Sequence, residues 1–271
     1  MLPVLFSIGS LHVQSYGVSK AAAALVAMWL LGRAFTRRGL PKDSATSLVL
    51  WATIWGFVGA KIYYLFEHLS DFSLHHLGGM GFTWYGGLIG GIIAALVIIR
   101  RHHLPLAEVV GATAAPLALA YGIGRIGCFL AGDGTYGKPT TLPWGVTFTH
   151  GIVPTTVPVH PTPLYETLAA VLITVILWRL ERHLAPVGVF GAYLVLSGIS
   201  RFLVEFLRIN TPVLAGLTQP QLWALLGIGI GAVLITRAGL RTEPGRPDVA
   251  TPADTAPPTP APASASASAS R

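Results

Sequence analysis

Residues 187–207, VGVFGAYLVLSGISRFLVEFL, form a stretch that is long and apolar enough to cross the hydrocarbon core of a bilayer as a helix. Six further apolar blocks lie along the chain, at 16–35, 47–66, 84–99, 106–124, 162–180 and 217–236. Charged residues make up only 11% of the chain, whereas a soluble domain has about a quarter. The sequence therefore predicts an all-α integral membrane protein with about seven transmembrane helices.

The positive residues predict how these helices are oriented. Alternate connections carry most of the basic residues, namely Arg33, Arg37, Arg38, Lys42, Arg100, Arg101, Arg179, Arg182, Arg237 and Arg241. Because Lys and Arg are enriched in cytoplasmic connections, we expect the N-terminus and the region around 124–160 to be periplasmic and the C-terminus to be cytoplasmic. The predicted organisation is a membrane domain over 1–240, with a periplasmic Gly-rich loop at 125–160.

The rest of the composition predicts a disordered tail and argues against a disulfide, a metal site and nucleic-acid binding. Residues 241–271 are rich in Pro, Ala and Ser, which predicts a disordered cytoplasmic tail. The single cysteine, Cys128, can form neither an internal disulfide nor a Cys-based zinc site. Four of the nine histidines occur as the adjacent pairs His75 with His76 and His102 with His103. Neighbours do not share a helical face, so we predict that these four are interfacial residues and not metal ligands. Basic residues lie at helix ends rather than in a stripe with aromatics, which disfavours nucleic-acid binding.

Charged residues inside a predicted span are costly and often functional. Arg201, Glu205 and Arg208 follow each other at i, i+4 and i+7 near the outer end of the sixth block, which predicts one shared helical face. Two guanidiniums and one carboxylate leave a positive charge that suits an anionic headgroup. The alternative is a cluster of ion pairs that only locks helices together.

A second polar stretch, GRIGCFLAGDGTYG at 124–137, is predicted to leave the fourth span and enter the outer loop. Its glycines permit tight turns and close approach of a ligand to backbone N–H groups. Arg125 could add a guanidinium, and Asp133 could orient one. The alternative is an ordinary Gly-rich loop with an arginine that extends to water.

Two further segments contain candidate polar groups near the outer side. TWYGGLIGG at 83–91 has glycine pairs suited to close helix packing, and its Tyr85 suits either an interfacial aromatic belt or a site hydroxyl. VHPTPLYE at 159–166 opens the fifth block, with prolines that suit a helix start and Glu166 in its first turn. His160 could act as a base, or it could simply cap the helix or face solvent.

Together these segments resemble the prolipoprotein diacylglyceryl transferase family. The resemblance covers residues from about 6 to 237 and rests on motifs that occur in family order: Tyr16 with Gly17, GAKIYY with Lys61, YGGLIGG, GRIGCFLAGDGTYGKPT, HPTPLYE and RFLVEFLR. It implies transfer of a diacylglyceryl group from phosphatidylglycerol to the lipobox cysteine of a prolipoprotein, in the bacterial inner membrane with the site toward the periplasm. It implies no cofactor, no metal and no nucleic-acid partner.

The resemblance, together with the residues themselves, gives expectations for individual positions. Catalytic roles are expected for Arg125, Arg201, Glu205, Tyr85 and His160, and substrate-binding roles for Arg125, Arg208, Tyr16, Cys128, Asp133, Gly137, Tyr165 and Glu166. Cys128 stands where the family usually has Asn, and Tyr85 where it usually has His. We therefore hypothesise that Tyr85 donates a hydrogen bond and that His160, or the substrate phosphate itself, takes the thiol proton.

Two alternatives to this activity stay open at the level of the sequence. One is a member of the same family with a changed lipid donor or acceptor, which Cys128 and Tyr85 suggest. The other is a non-catalytic phospholipid-binding membrane protein that uses the same arginines. Polar residues gather near the outer side and are few elsewhere, and there is no internal repeat, so a transporter is disfavoured.

Overall fold

A computed structural model describes residues 2–9, 11–69, 73 and 81–238 of the chain. Over these residues the chain forms seven helices, each long and apolar enough to span a membrane: α1 Ser15–Arg37, α2 Lys42–Glu67, α3 Trp84–Arg101, α4 Leu106–Ala131, α5 Thr162–Leu180, α6 Pro186–Glu205 and α7 Gln219–Ala238. The predicted all-α membrane architecture is confirmed. The tail at 241–271 and the histidines His75 and His76 lie outside the described residues.

Short hairpins, which an all-α prediction does not include, accompany the helices. They are antiparallel pairs of β1 Val4–Ile8 with β2 Leu11–Gln14, β3 Val146–Phe148 with β4 Thr155–Val159, and β5 Pro212–Leu214 with β6 Leu217–Thr218. These pairs precede α1, α5 and α7, so they share one end of the bundle, which we call the hairpin end. We call the opposite end, where α1, α3, α5 and α7 finish among arginines, the basic end.

The fourth helix is longer than the sequence suggested, which corrects the predicted loop at 125–160. It continues to Ala131 and stops at Gly132, which adopts a left-handed conformation with φ 59° and ψ 49°. Arg125 and Cys128 are therefore helical. The glycines before this point serve packing rather than turning, because a Cβ on Gly127 would lie 2.6 Å from the Ser19 Cβ of α1.

The sixth helix is shorter than predicted. It ends at Glu205, and Phe206, Leu207 and Arg208 form a tightened turn whose N–H groups donate to carbonyls three residues earlier. The Lys138 N–H donates to the Leu207 carbonyl at 2.7 Å, so the chain from the Gly-rich loop holds this turn. Arg208 therefore lies on this turn, just beyond the end of α6, and it still faces Glu205 on the same side as Arg201.

Helix α4 lies at the centre of the bundle and packs against α1, α5 and α6. Its small residues, including Ala112, Ala114, Ala115 and Ala118, are buried in two apolar clusters with residues of these neighbours. Large apolar side chains elsewhere are exposed, for example Trp51, Phe57 and Ile93, as suits contact with lipid tails.

The glycine pairs of α3 serve close helix packing, as the sequence predicts. Gly86 and Gly90 face Gly59 of α2, and a Cβ on Gly59 would lie 3.1 Å from the Gly90 Cα. Only small residues allow two helix backbones to approach so closely. This pairing fixes α3 against α2 and positions Tyr85 at the hairpin end.

The orientation of the bundle can be tested with thiol labelling, because Cys128 is the only native cysteine. Both His150, next to the β3–β4 hairpin, and His183, at the basic end, are exposed. In a Cys128→Ala background, His150→Cys should react with a membrane-impermeant maleimide in intact spheroplasts. His183→Cys should react only after lysis, because the arginines near it predict a cytoplasmic location. The reverse labelling pattern would contradict this orientation.

Candidate active site

A buried carboxylate, Glu166, is the centre of the polar cluster at the hairpin end. It lies one turn into α5, whose start at Thr162 is favoured by Pro161 and Pro163, and its side chain is 1% exposed. Its Oε1 accepts hydrogen bonds from the Tyr121 hydroxyl at 2.6 Å and from Arg201 Nη1 at 2.8 Å. Arg125 Nε lies 3.1 Å from its Oε2. One carboxylate therefore connects α4, α5 and α6.

A second buried carboxylate, Glu205, continues the cluster. Arg201 Nη2 lies 2.8 Å from its Oε2, so the Arg201 guanidinium bridges Glu205 and Glu166. The other oxygen of Glu205 accepts hydrogen bonds from Asn210 Nδ2 at 2.5 Å and Thr218 Oγ1 at 3.0 Å. These donors are neutral and leave the charge balance unchanged. Three guanidiniums face two carboxylates, so the cluster has a net positive charge.

The third arginine, Arg208, is the least satisfied member. Its Nε lies 3.7 Å from Glu205 Oε2 and its Nη1 lies 3.8 Å from Glu166 Oε2, distances of ion pairs rather than of hydrogen bonds. Both nitrogens are buried without a hydrogen-bond partner among the described residues. Burial, together with the neighbouring Arg201, lowers the pKa of Arg208 below its usual value. Buried donors of this kind are expensive unless an acceptor reaches them, so they suit an anionic ligand.

Gly137 holds the Gly-rich loop against Arg208. The two residues form an isolated antiparallel bridge, and the Gly137 N–H donates to the His160 carbonyl at 2.8 Å. A Cβ at this position would lie 2.5 Å from the Leu207 carbonyl oxygen and 2.9 Å from the His160 Cβ. Glycine is needed here for close approach of backbones, and it fixes where Arg208 lies.

Cys128 and Tyr16 form a neighbouring group on the other side of Arg125. Arg125 Nη1 lies 3.9 Å from the Cys128 sulfur, and Asp133, Arg125 and Lys20 are the charged neighbours of the thiol. Lys20 also lies over the Tyr16 ring, with Nζ 5.0 Å from the ring centre. Asp133 Oδ1 accepts hydrogen bonds from the Thr135 N–H and hydroxyl, which fixes the turn after α4.

Tyr85 lies outside the direct contacts of the arginine cluster. Its hydroxyl accepts hydrogen bonds from Gln219 Nε2 and from Trp223 Nε1, the latter at 3.2 Å. These bonds join the first turns of α3 and α7, and Gln219 follows Thr218, the donor to Glu205. Tyr85 is therefore linked to the cluster through α7, and its phenolic proton is still available for donation.

His160 belongs to an aromatic group beside the cluster. Its Nδ1 lies 3.3 Å from the Tyr165 hydroxyl, which also accepts a hydrogen bond from Trp144 Nε1 at 2.8 Å. The imidazole makes no ion pair with Glu166 or Glu205 among the described residues. Its backbone contact with Gly137 nevertheless places it next to the segment that carries Arg208.

The structure thus brings Arg125, Arg201, Arg208, Glu166 and Glu205 into one connected cluster, whereas Tyr16, Cys128, Asp133, Tyr85, His160, Tyr165 and Gly137 surround it. Sequence reasoning missed Tyr121, Lys20, Asn210, Thr218 and Gln219. Tyr121 precedes Arg125 by one helical turn, so that spacing could have identified it. The others give no signal in the sequence. The described residues contain no His, Cys, Asp and Glu group that could hold a metal ion.

Comparison with known proteins gives a consistent result. The family model described as prolipoprotein diacylglyceryl transferase matches residues 3–237. The chain belongs to this family. Phosphatidylglycerol--prolipoprotein diacylglyceryl transferases that it resembles include that of Clostridium tetani, with 35% identity over 77% of this chain and 86% of the relative, and that of Geobacter sulfurreducens, with 35% identity over 87% and 95%. The transferase of Pseudoalteromonas atlantica is 36% identical over 76% of this chain and 75% of the relative.

The contact between Gly137 of the Gly-rich loop and Arg208 leads to a stability prediction. Gly137→Ala should lower the free energy of unfolding by about 1–3 kcal/mol, because the added methyl group meets backbone and Cβ atoms that are held on both sides. Gly229→Ala in α7 is the matched control, since a Cβ there meets nothing within 4 Å. Thermal unfolding in detergent should show a lower midpoint for the first variant only. Equal midpoints would contradict the close approach at Gly137.

Proposed function

We propose that this protein transfers the diacylglyceryl group of phosphatidylglycerol to the thiol of the lipobox cysteine of a prolipoprotein, the first step of bacterial lipoprotein maturation. The observation that carries the proposal is Arg208, whose Nε and Nη1 are buried and form no hydrogen bond among the described residues, with the nearest carboxylate oxygens of Glu205 and Glu166 3.7 and 3.8 Å away. Membership of the family supports the same activity.

The charges of the cluster suit the leaving group of this reaction. A C–S bond forms between the acceptor sulfur and the glyceryl carbon, while the C–O bond to the phosphate breaks and its electron pair leaves with glycerol phosphate. The phosphodiester has one negative charge, and the phosphate monoester that departs gains more. Fixed cations that face the developing charge lower the barrier to such a step. Arg125, Arg201 and Arg208, opposed by only two carboxylates, supply the positive charge.

The acceptor thiol must lose its proton for this attack, because the thiolate is the nucleophile. We infer that His160, or the phosphate of the substrate, receives this proton. Tyr165 holds the imidazole through Nδ1, which leaves Nε2 to act as acceptor in the tautomer with Nδ1 protonated. Tyr85 contributes a hydrogen bond from its hydroxyl, whose two incoming bonds from α7 fix its position.

The proposed setting is the bacterial inner membrane, with the site toward the periplasm. The basic end then faces the cytoplasm, in agreement with the distribution of Lys and Arg. Partners in this proposal are phosphatidylglycerol, the signal peptides of prolipoproteins with a lipobox cysteine, and the surrounding membrane lipids. The proposal includes no nucleic acid, no cofactor and no metal.

Purified protein with labelled phosphatidylglycerol and a lipobox peptide tests the proposed activity. The wild type should form the thioether, and it should also restore growth of a strain depleted of its own transferase. Arg208→Ala should lower kcat/KM by about 100-fold or more, because it removes a fixed donor for the leaving phosphate. Arg100→Ala, at the basic end, is the control for a lost charge and should keep full activity. Binding of the lipid without any thioether would identify a phospholipid-binding protein instead.

The role of His160 is tested separately. His160→Ala should abolish thioether formation while the melting midpoint stays close to that of the wild type, because the side chain has a single weak polar contact. Thr149→Ala, in the same outer connection, is the matched control and should remain active. Full activity of His160→Ala would assign the proton to the substrate phosphate.

A further inference from the structure

A second group of arginines surrounds a cavity at the basic end, far along α1 and α5 from the candidate active site. The cavity has a volume of about 600 Å³ and is lined by the C-terminal parts of α1 and α5 and by Pro116 of α4. Its walls combine Arg33, Arg37, Arg38 and Arg182 with Glu181, Trp29 and Trp178. We propose that this cavity binds the headgroup of an anionic phospholipid from the leaflet opposite the active site.

The cavity exists because α4 separates the two helices that flank it. Helix α4 packs against α1 on one side and against α5 on the other. Arg38 fixes this arrangement, since its side chain is 7% exposed and forms ion pairs with Glu108 of α4 at 3.0 Å and with Glu181 after α5 at 3.5 Å. Three elements are therefore tied together at the base of the cavity, and its shape is built into the fold.

The remaining arginines are not neutralised in this way. Arg33 and Arg182 form no ion pair with a carboxylate among the described residues, and both are exposed. Arg37 shares Glu181 at 3.6 Å, but its side chain is 57% exposed. The cavity therefore presents net positive charge at its mouth. Guanidinium groups bind phosphate oxygens in a bidentate manner. The net positive charge therefore suits an anionic phosphate group rather than a neutral or cationic ligand.

The aromatic residues indicate a lipid rather than a free ion. Trp29 and Trp178 are 54% and 41% exposed on the membrane-facing surface of α1 and α5. Tryptophan is enriched at the level of the headgroups. The Arg33 guanidinium lies over the Trp29 ring, with Cζ 4.2 Å from the ring centre, so a basic group and a headgroup-level aromatic lie together in this wall. In the proposed binding mode the acyl chains lie along the exposed faces of these tryptophans while the phosphate meets the arginines.

Basic pockets between transmembrane helices on the cytoplasmic side are a known mode of recognition for anionic headgroups. The volume of the cavity falls within the range of small-molecule sites, about 300–1,000 Å³, and it accommodates a glycerophosphate group. The proposal does not depend on the proposed transferase activity, because no residue of the cavity belongs to the arginine cluster around Glu166.

Native mass spectrometry of the full-length protein in detergent, titrated with cardiolipin, tests the site. The double variant Arg33→Gln with Arg182→Gln should weaken binding of the first lipid by about tenfold or more, since each basic residue near an anionic headgroup contributes substantially. The matched control is Arg100→Gln with Arg237→Gln, which removes the same charge from the same end but outside the cavity. The control should retain binding within about twofold.

Three results would overturn the proposal: an equal loss in both double variants, no loss in either, or complete displacement of cardiolipin by about 10 mM inorganic phosphate. The last would show a site for free phosphate rather than a lipid. If the double variant does not fold, as judged by its thermal unfolding, the single variants Arg182→Gln and Arg237→Gln give the same comparison. The first should then lose about fivefold in affinity and the second should lose none.

Discussion

The ion pairs of Glu166 are the interaction on which the arrangement of this bundle depends. A charge that is removed from water inside a membrane protein is tolerated only if opposite charges and hydrogen bonds compensate it. Glu166 meets this requirement with Arg125 and Tyr121 from α4 and with Arg201 from α6. The same compensation is incomplete for Arg208, and that incompleteness gives the cluster its capacity to hold an anion.

The sequence allowed the seven spans to be predicted, because the length of an apolar block directly reports the thickness that it must cross. The ends of the helices were less predictable. The glycines near 124 suggested a turn, yet only Gly132 has the left-handed backbone that stops α4. The glycines before it lie against Ser19 and other residues of neighbouring helices. A glycine that turns the chain and one that allows close packing look alike in a single sequence.

The site was predictable where its geometry is local. The spacing of Arg201 and Glu205 fixes their contact within one helix, at 2.8 Å. By contrast, the pairing of Glu166 with Arg201 depends on how α5 and α6 pack, and the contact of Thr218 with Glu205 depends on the β5–β6 hairpin. No periodicity encodes such contacts. For the same reason, the sequence could not separate Tyr85 and His160, which have their own hydrogen-bond partners, from the residues of the arginine cluster.

Ion pairs anchor helix α4 at both of its ends, and they do so in different ways. At the basic end Arg38 pairs with Glu108 at 3.0 Å and also with Glu181, so the charge of this guanidinium is largely neutralised. At the hairpin end Arg125 reaches a carboxylate that already serves Arg201, so positive charge is left over. An arginine with its own carboxylate acts as a structural tie, whereas an arginine that must share one stays available to a ligand. The number of arginines around an end of α4 does not by itself decide which arginines can bind phosphate. The ratio of guanidiniums to carboxylates at that end decides it.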